Sequence, residues 1–169
     1  MRALRIHEGF HRPLNRNWLP QLVFGDVFFK ASYIFKSDCV YDIGSDQSDI
    51  NKLTGISFSL SPHKNSVRIG WRYSKAFNMI ELLYYIYDNG VRKWEAIGAV
   101  PLNKTVYVSA EKRDTIIYFN VSCEDISHNQ YYESTKPWKR LGYRLGLYFG
   151  GNRTAFHKIT VVKKDKPYL

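Results

Sequence analysis

Cysteine is scarce in this chain, since Cys39 and Cys123 are the only two among 169 residues. Two cysteines are too few for a metal cluster, and their separation does not match a redox motif. We therefore predict two buried thiols, with a disulfide between them as the alternative. The five histidines show no metal-ligand spacing except His7 and His11, whose spacing would suit only a helix. We accordingly expect neither a metal nor a cofactor.

The sequence also lacks a long apolar run. Its N-terminal segment is basic and contains no apolar stretch long enough for a signal peptide or a membrane span. It contains no nucleophile elbow, phosphate-binding loop or dinucleotide fingerprint, so the common hydrolase, kinase and dehydrogenase chemistries have no support. We expect cytoplasmic synthesis and no membrane span, with later incorporation into a virion left open.

Acidic residues are few, at 15 Asp and Glu against 25 Lys and Arg, which gives a formal net charge of +10. Such a charge favours polyanionic partners, namely nucleic acid, acidic polysaccharide or an acidic neighbouring subunit. No nucleic-acid-binding motif accompanies the charge, so nucleic acid is not the expected partner.

Aromatic residues are abundant, at 16% of the chain, with 13 Tyr and 10 Phe. About ten short segments of strand-like hydropathy, separated by turn residues and without helical periodicity, predict an all-β fold. We expect an antiparallel β-sandwich of the jelly-roll, or concanavalin-like, type. Asp88, Asn89 and Gly90 predict a tight hairpin turn, and residues 124–139 the longest loop.

The first 21 residues predict an extended basic arm, because Pro13 and Pro20 disfavour a helix or a central strand. The β-sandwich domain then spans residues 22–163, and a C-terminal tail spans residues 164–169. The candidate residues for assembly with other subunits are Arg2, Arg5, Arg12, Arg16 and Trp18.

Two consecutive strands predict a face that combines charged and aromatic side chains. Arg68 and Arg72 alternate with apolar residues on one strand, as Glu81 and Tyr85 do on the next. The arginines suggest a clamp for an anion or a sugar carboxylate, the tyrosine a platform for a sugar ring, and Glu81 a cross-strand partner for an arginine. A solvated outer face bearing a charge ladder is the interpretation that we favour, with ligand binding as the alternative.

The run from Gly142 to Asn152 predicts a strand and a glycine turn, and residues 158–163 a closing strand. We expect the side chains around this turn to meet at one end of a sheet, with a packing role as the alternative for His157. The full set of candidate ligand-binding residues is Arg68, Arg72, Glu81, Tyr85, Tyr148, Asn152 and His157. No catalytic residue is assigned.

The polar segment over residues 37–51 contains four aspartates, Asp38, Asp42, Asp46 and Asp49. Carboxylates at short spacing suit calcium, although this spacing does not match an EF-hand loop. A solvated acidic loop is the interpretation that we favour.

Four segments, over residues 49–53, 63–72, 81–92 and 148–152, together resemble a group of uncharacterised β-sandwich domains of Bacteroidetes bacteria and their phages. The likeness covers about residues 40–163. It implies the sandwich fold and a setting in a bacterium or a phage particle, and it implies no activity. The sequence departs from the group after the glycine turn, where residues 155–158 replace an Ala-Pro-His-Asp pattern.

A second resemblance concerns residues 143–148, which look like the C-terminal strand of jelly-roll polysaccharide lyases. That resemblance implies Tyr and His as acid and base acting on an acidic sugar. The Gln-x-His strand usual in those lyases is absent from this sequence. A lyase would therefore require His63 or His157 to point into the same groove as Tyr143 or Tyr148.

Together these features favour a non-enzymatic binding or assembly module. We expect a structural component of a phage virion or a similar multi-subunit particle, with glycan recognition as a further role. Its expected partners are other protein subunits and a glycan, acidic if any. The alternatives are a stand-alone carbohydrate-binding module and a polysaccharide lyase acting on an acidic glycan.

Overall fold

The computed structural model describes residues 1–14 and 21–164, which form twelve β-strands and two short 3₁₀ helices. The strands are β1 (Arg2–Ile6), β2 (Leu22–Phe24), β3 (Val27–Phe35), β4 (Asn51–Ser57), β5 (Ser66–Ser74), β6 (Met79–Asp88), β7 (Val91–Pro101), β8 (Thr105–Arg113), β9 (Ile116–Cys123), β10 (Ile126–Glu133), β11 (Leu141–Leu145) and β12 (Ile159–Lys164). The 3₁₀ helices span Ser37–Cys39 and Gly44–Ser48. The all-β prediction is thereby confirmed.

The strands form two six-stranded sheets whose pairings are all antiparallel. The first sheet has the order β1-β12-β3-β8-β9-β10, and the second has the order β2-β11-β4-β5-β6-β7. Asn89 and Gly90 have φ angles of 51° and 85° at the turn between β6 and β7, as the predicted hairpin requires. The two sheets stack as a sandwich, because each buries one face against the other.

Strand alternation determines which side chains form the core. On β5, Val67, Ile69 and Trp71 are fully buried, while the residues between them point outwards. The Trp71 ring lies 5.2 Å from that of Phe35 and 6.3 Å from that of Phe149, which ties β3 and the segment after β11 to the second sheet. Large buried aromatic residues of this kind each contribute about 3–5 kcal/mol when compared with alanine.

The N-terminal segment is part of the sandwich rather than an arm that stands apart from it. β1 pairs with β12 over five residues, from Arg2 opposite Lys163 to Ile6 opposite Ile159, and Ile6 is fully buried. The backbone of β1 is extended and pairs with β12, whereas Phe10 and Leu14 further along the segment are exposed. Of the other predicted arm residues, Arg16 and Trp18 lie outside the described residues, as do residues 165–169 of the tail.

The prediction that residues 124–139 form a loop is largely wrong, because β10 lies within this range. All eight residues of β10 pair with β9. The inward-facing His128 packs on Gly98 of β7, where a Cβ would come within 2.3 Å of the imidazole Cδ2. Inward and outward residues of β10 are both polar or aromatic, so hydropathy does not alternate along it.

Both cysteines are buried free thiols, as predicted. The Cys39 thiol donates a hydrogen bond to the carbonyl of Thr160 at 3.2 Å, and burial raises its pKa. None of the helices in the described ranges is long and apolar enough to cross a membrane.

Candidate functional site

The candidate site lies on the outer face of the second sheet, where β4, β5 and β6 run side by side. Arg68 of β5 is paired with Gly55 of β4 and with Tyr85 of β6. A Cβ on Gly55 would lie 2.7 Å from Arg68 Cγ, so the arginine side chain occupies the space above the glycine. We call the surface formed by Lys52, Arg68, Tyr85, Tyr87, Arg92 and Tyr148, together with His11, Arg12 and His63 at its two ends, the cationic face.

Arg68 is buried although it carries a charge, with 8% of its surface exposed. Its Nε has no hydrogen-bond partner, and no carboxylate forms an ion pair with it, among the described residues. Burial lowers the pKa of Arg68, while the neighbouring Tyr85 and Tyr87 oppose this shift. An arginine stays charged in proteins, so the centre of the face holds a desolvated cation that no carboxylate of the described residues neutralises.

Lys52 lies between two tyrosine rings of the cationic face. Its Nζ is 5.0 Å from the ring centre of Tyr85 and 5.6 Å from that of Tyr148, and it donates a hydrogen bond to the Gly150 carbonyl at 3.2 Å. Burial, reinforced by the charge of Arg68, lowers the pKa of Lys52 to about 8. The negative charge of Asp49 acts in the opposite direction, but its effect on the Lys52 pKa is smaller than that of burial.

Tyr85 and Tyr87 of β6 provide two of the aromatic rings of the face. Burial, and then a hydrogen bond with Tyr87, raises the pKa of Tyr85 to about 12, against the effect of Arg92. The Tyr87 ring is stacked on His63, with ring centres 5.1 Å apart and planes inclined by 19°. His63 therefore borders the cationic face, at its Tyr87 end.

Tyr148 closes the other end of the face. Its backbone exchanges two hydrogen bonds of 2.8 Å with Lys52, which adds residue 148 to the edge of β4. The His11 ring stacks on the Tyr148 ring at 4.8 Å and 8°, and Arg12 Cζ lies 5.3 Å from the same ring centre. The N-terminal segment thus contributes an imidazole and a guanidinium to this end.

The orientation of His11 is fixed by the backbone. Its Nδ1 lies 2.8 Å from the Phe149 carbonyl oxygen, which can only accept, so Nδ1 carries a proton. The His11 backbone carbonyl accepts a hydrogen bond from Phe149 N at 2.8 Å. In the neutral ring, Nε2 is therefore the nitrogen that carries the lone pair.

The face has an excess of positive charge. Arg12, Lys52, Arg68 and Arg92 form no ion pair with a carboxylate in the part of the chain that the structure describes. Four cations that share a partly buried surface raise the local electrostatic potential and attract anions.

Arg72 and Glu81 occupy the same sheet face but a separate region of it. They are opposite residues on β5 and β6 and form the predicted cross-strand ion pair, over which Trp94 lies 5.6 Å from Arg72 Cζ. Ile50 covers Gly70, where a Cβ would come within 2.4 Å of the Ile50 side chain. The two arginines therefore do not form the suggested clamp, because Ile50 lies between them and Glu81 neutralises Arg72.

Asn152 and His157 are not brought to the cationic face. Asn152 lies in an exposed loop and makes no hydrogen bond within the described ranges. His157 Nε2 donates to the Asp38 carbonyl at 2.8 Å, and its ring contacts Phe156. These contacts correspond to the packing role considered as the alternative for His157.

The four aspartates of residues 37–51 separate instead of converging. Asp38 accepts hydrogen bonds from Thr160 N and Oγ1, Asp42 pairs with Lys75, and Asp46 pairs with Arg153. No cluster of three or more metal-ligating side chains occurs among the described residues.

Of the predicted ligand-binding residues, the structure brings together Arg68, Tyr85 and Tyr148. Lys52, Tyr87, Arg92, His11 and His63 complete the surface and were not among them. A register shift between Lys52 and Thr54 interrupts the alternation of β4, which hides the orientation of Lys52 in the sequence. His11 and Arg12 reach the face from a segment without strand periodicity, and the sequence assigns Arg12 to the assembly arm.

No protein-family model matches the sequence, and no curated protein matches it. Among solved structures, an alginate lyase from Klebsiella pneumoniae superimposes with a TM-score of 0.64 at 10% identity, over 83% of this chain and 58% of that chain. The carbohydrate-binding module CBM66 from Bacillus subtilis gives a TM-score of 0.39 at 12% identity, over 96% and 91% of the two chains. The chain thus spans a little over half the length of the lyase, and the likeness to the lyase shows the jelly-roll sandwich fold that the sequence predicts.

Proposed function

We propose that this protein binds an acidic saccharide on the cationic face. The observation that supports this most directly is Arg68, a cation with 8% of its surface exposed and no carboxylate partner among the described residues. Leaving such a group unpaired is costly, and a ligand carboxylate would offset the cost by accepting charge-assisted hydrogen bonds.

The surroundings of Arg68 suit a sugar in particular. The rings of Tyr85 and Tyr148 flank Lys52, so that one pyranose could stack on an aromatic surface while its carboxylate meets a cation. A lone inorganic anion would not need the aromatic groups. The sandwich shared with an alginate lyase is compatible with this ligand class.

The test is titration calorimetry with alginate-derived and polygalacturonate-derived tetrasaccharides at a physiological salt concentration. Arg68→Met keeps most of the side-chain volume and removes the charge, and we expect it to weaken binding about 10- to 100-fold, as loss of a charged hydrogen bond implies. Arg72→Met is the matched control, because it removes the same charge from the same strand and face. Equal losses in both variants would mean nonspecific attraction to a basic protein and would refute the proposal.

A polysaccharide lyase is the second candidate, and the stacked pair of His11 and Tyr148 favours it. In the reaction, a base removes the C5 proton of a uronate, the C4–O bond breaks, and the departing oxygen takes a proton. Arg68 would neutralise the carboxylate whose charge increases as the proton leaves. His63 contacts Tyr87 rather than Tyr148, and His157 faces Asp38, so His11 is the histidine placed for this chemistry.

Ultraviolet absorbance of the unsaturated product distinguishes the two candidates. If the protein is a lyase, Tyr148→Phe and His11→Ala should abolish the absorbance rise and retain binding of the acidic tetrasaccharides. A wild-type protein that binds these sugars without any absorbance rise is a binding module. The virion-component role stays a prediction, to be tested by light scattering of the full chain with candidate partner subunits.

A further inference from the structure

The outer face of the first sheet contains a groove with a different composition. It has a volume of about 560 Å³ and lies over β8, β9 and β10. We call it the tyrosine–amide groove, and its main lining residues are Tyr107, Ser109, Tyr118, Asn120, Asn129 and Tyr131. Its volume falls within the range of small-molecule sites.

Strand register arranges the groove in two rows. Ser109, Asn120 and Asn129 are opposite one another on the three strands, and Tyr118 and Tyr131 are opposite one another in the next row. Tyr131 is 59% exposed, so its ring is accessible to a ligand, whereas Tyr118 is 37% exposed and the Arg113 guanidinium lies over its ring. Exposed rings beside a row of amides and a hydroxyl form a surface with both stacking and hydrogen-bonding groups.

The amides are held in a fixed orientation and still have unused hydrogen-bonding capacity. Asn120 Nδ2 donates to Asn129 Oδ1 at 2.8 Å and to Ser127 Oγ at 3.3 Å. The side-chain oxygen of Asn120, Oδ1, and the side-chain nitrogen of Asn129, Nδ2, have no partner among the described residues. The amide pair thus keeps an unused acceptor and an unused donor, which suit the donor and acceptor character of sugar hydroxyls.

The groove is close to electrically neutral. Arg113 pairs with Glu111 at 2.9 Å, and its Cζ lies 5.0 Å from the Tyr118 ring centre, which leaves Lys30 as the lining cation without an acidic partner in the described ranges. The groove therefore offers few unpaired cations to a uronate carboxylate. Rings, amides and a near-zero charge suit hydroxyl-rich, uncharged ligands.

We infer that the tyrosine–amide groove is a second saccharide-binding site, which takes a neutral glycan. The inference does not depend on the cationic face, since the two sites lie on opposite outer faces of the sandwich. The solvated side of an antiparallel sheet is normally polar. The exposed Tyr131 ring beside Tyr118, next to an amide pair with an unused donor and acceptor, goes beyond what solvation requires.

The test is titration calorimetry with cellohexaose, xylohexaose, mannohexaose and chitohexaose. We expect at least one of them to bind, and Tyr131→Ala to weaken that binding about tenfold by removing the stacking ring. Asn129→Ala should weaken it by a smaller factor, and Tyr131→Phe should retain it. Tyr131 lies on an edge strand and is largely exposed, and thermal denaturation of each variant confirms that it is folded.

Arg68→Met is the control from the other face and should leave the neutral-sugar affinity unchanged. Three outcomes would overturn the inference: none of the four sugars binds, Tyr131→Ala and Asn129→Ala bind as the wild type does, or Arg68→Met abolishes the binding. A concentration-dependent mass in light scattering that Tyr131→Ala abolishes, without sugar binding, would identify the groove as a contact between copies. Neutral binding without acidic binding would refute only the proposed function of the cationic face.

Discussion

The two outer faces of the sandwich both present tyrosines, but the charges around these tyrosines differ. On the cationic face, four basic side chains lack acidic partners among the described residues, and Arg68 at its centre is almost fully buried. On the tyrosine–amide groove, Arg113 is paired with Glu111, and amides replace the cations as the groups that flank the rings. The same aromatic platform is therefore combined with charge on one side and with neutral hydrogen-bonding groups on the other.

A tyrosine-rich strand does not by itself set the charge of the surface around it. The side chains on the neighbouring strands decide it, because they are about 4.5–5.5 Å away in a typical antiparallel sheet. Tyr85 is opposite Arg68, whereas Tyr118 is opposite Glu111 and Tyr131. Changes in these neighbours should alter one face without altering the other.

The largest effect is expected at Gly55, on which the position of Arg68 depends. A Cβ there would lie 2.5 Å from the Val67 carbonyl oxygen and 2.7 Å from Arg68 Cγ. The Val67 carbonyl oxygen can move only if the backbone of β5 moves with it. We therefore expect Gly55→Ala to lower the free energy of unfolding by about 1–3 kcal/mol. Displacement of Arg68 should also weaken acidic-tetrasaccharide binding by about tenfold or more.

Thermal denaturation and calorimetry measure both effects. Gly146→Ala is the matched control, because a Cβ added at residue 146 would have no neighbouring atom within 4 Å, and the stability of this variant should stay within about 0.5 kcal/mol of the wild type. Binding of neutral sugars in the groove should persist in both variants. Unchanged acidic binding in a destabilised Gly55→Ala protein would show that Arg68 is not the anchor.

Regular strands made half of the cationic face predictable. β5 and β6 pair without a register shift from Ser66 to Ser74, so period-two alternation correctly placed Arg68 and Tyr85 outwards. Lys52 lies at a bulge, and Ile50 and His11 reach the sheet from irregular segments. The period-two pattern cannot predict which way such side chains point, because it holds only where the strand is regularly pleated.

The tyrosine–amide groove was missed for a different reason. β10 is an edge strand whose inward residues, His128, Gln130 and Tyr132, are no more apolar than its outward ones. His128 and Tyr132 bury their rings against Gly98 and Tyr84, contacts that depend on the other sheet. No local pattern reveals those contacts, so the segment resembled a loop.

A change of pH should have an intermediate effect, and it should alter only the ligand affinity of the cationic face. The lowered pKa of Lys52, about 8, means that the free protein loses this charge as the pH rises through that value. An anionic ligand favours the charged form, so acidic-sugar affinity should be highest below pH 8 and decline above it. The decline should be about fivefold, or about 1 kcal/mol, because Arg68 stays charged throughout.

Calorimetry at about pH 7 and about pH 9.5 measures this change, since the range brackets the titration of Lys52 and precedes that of an ordinary lysine. Lys52→Arg should bind equally at both values, because its charge no longer titrates. Neutral-sugar binding in the groove should not change with pH over the same interval. A decline of the same size in Lys52→Arg would assign the titration to another group.

The smallest effect is expected from Arg113, whose ion pair with Glu111 keeps the groove close to neutral. The Arg113 side chain is 72% exposed and that of Glu111 is 34% exposed, so Arg113→Met should change the free energy of unfolding by less than about 1 kcal/mol. Neutral-sugar affinity should change less than about twofold, because a ligand without charge responds little to an added negative charge in water. Denaturation and calorimetry with the same hexasaccharides measure both quantities. A large loss would mean that the groove recognises its ligand through the guanidinium, and the contrast between a charged and a neutral face would then fail.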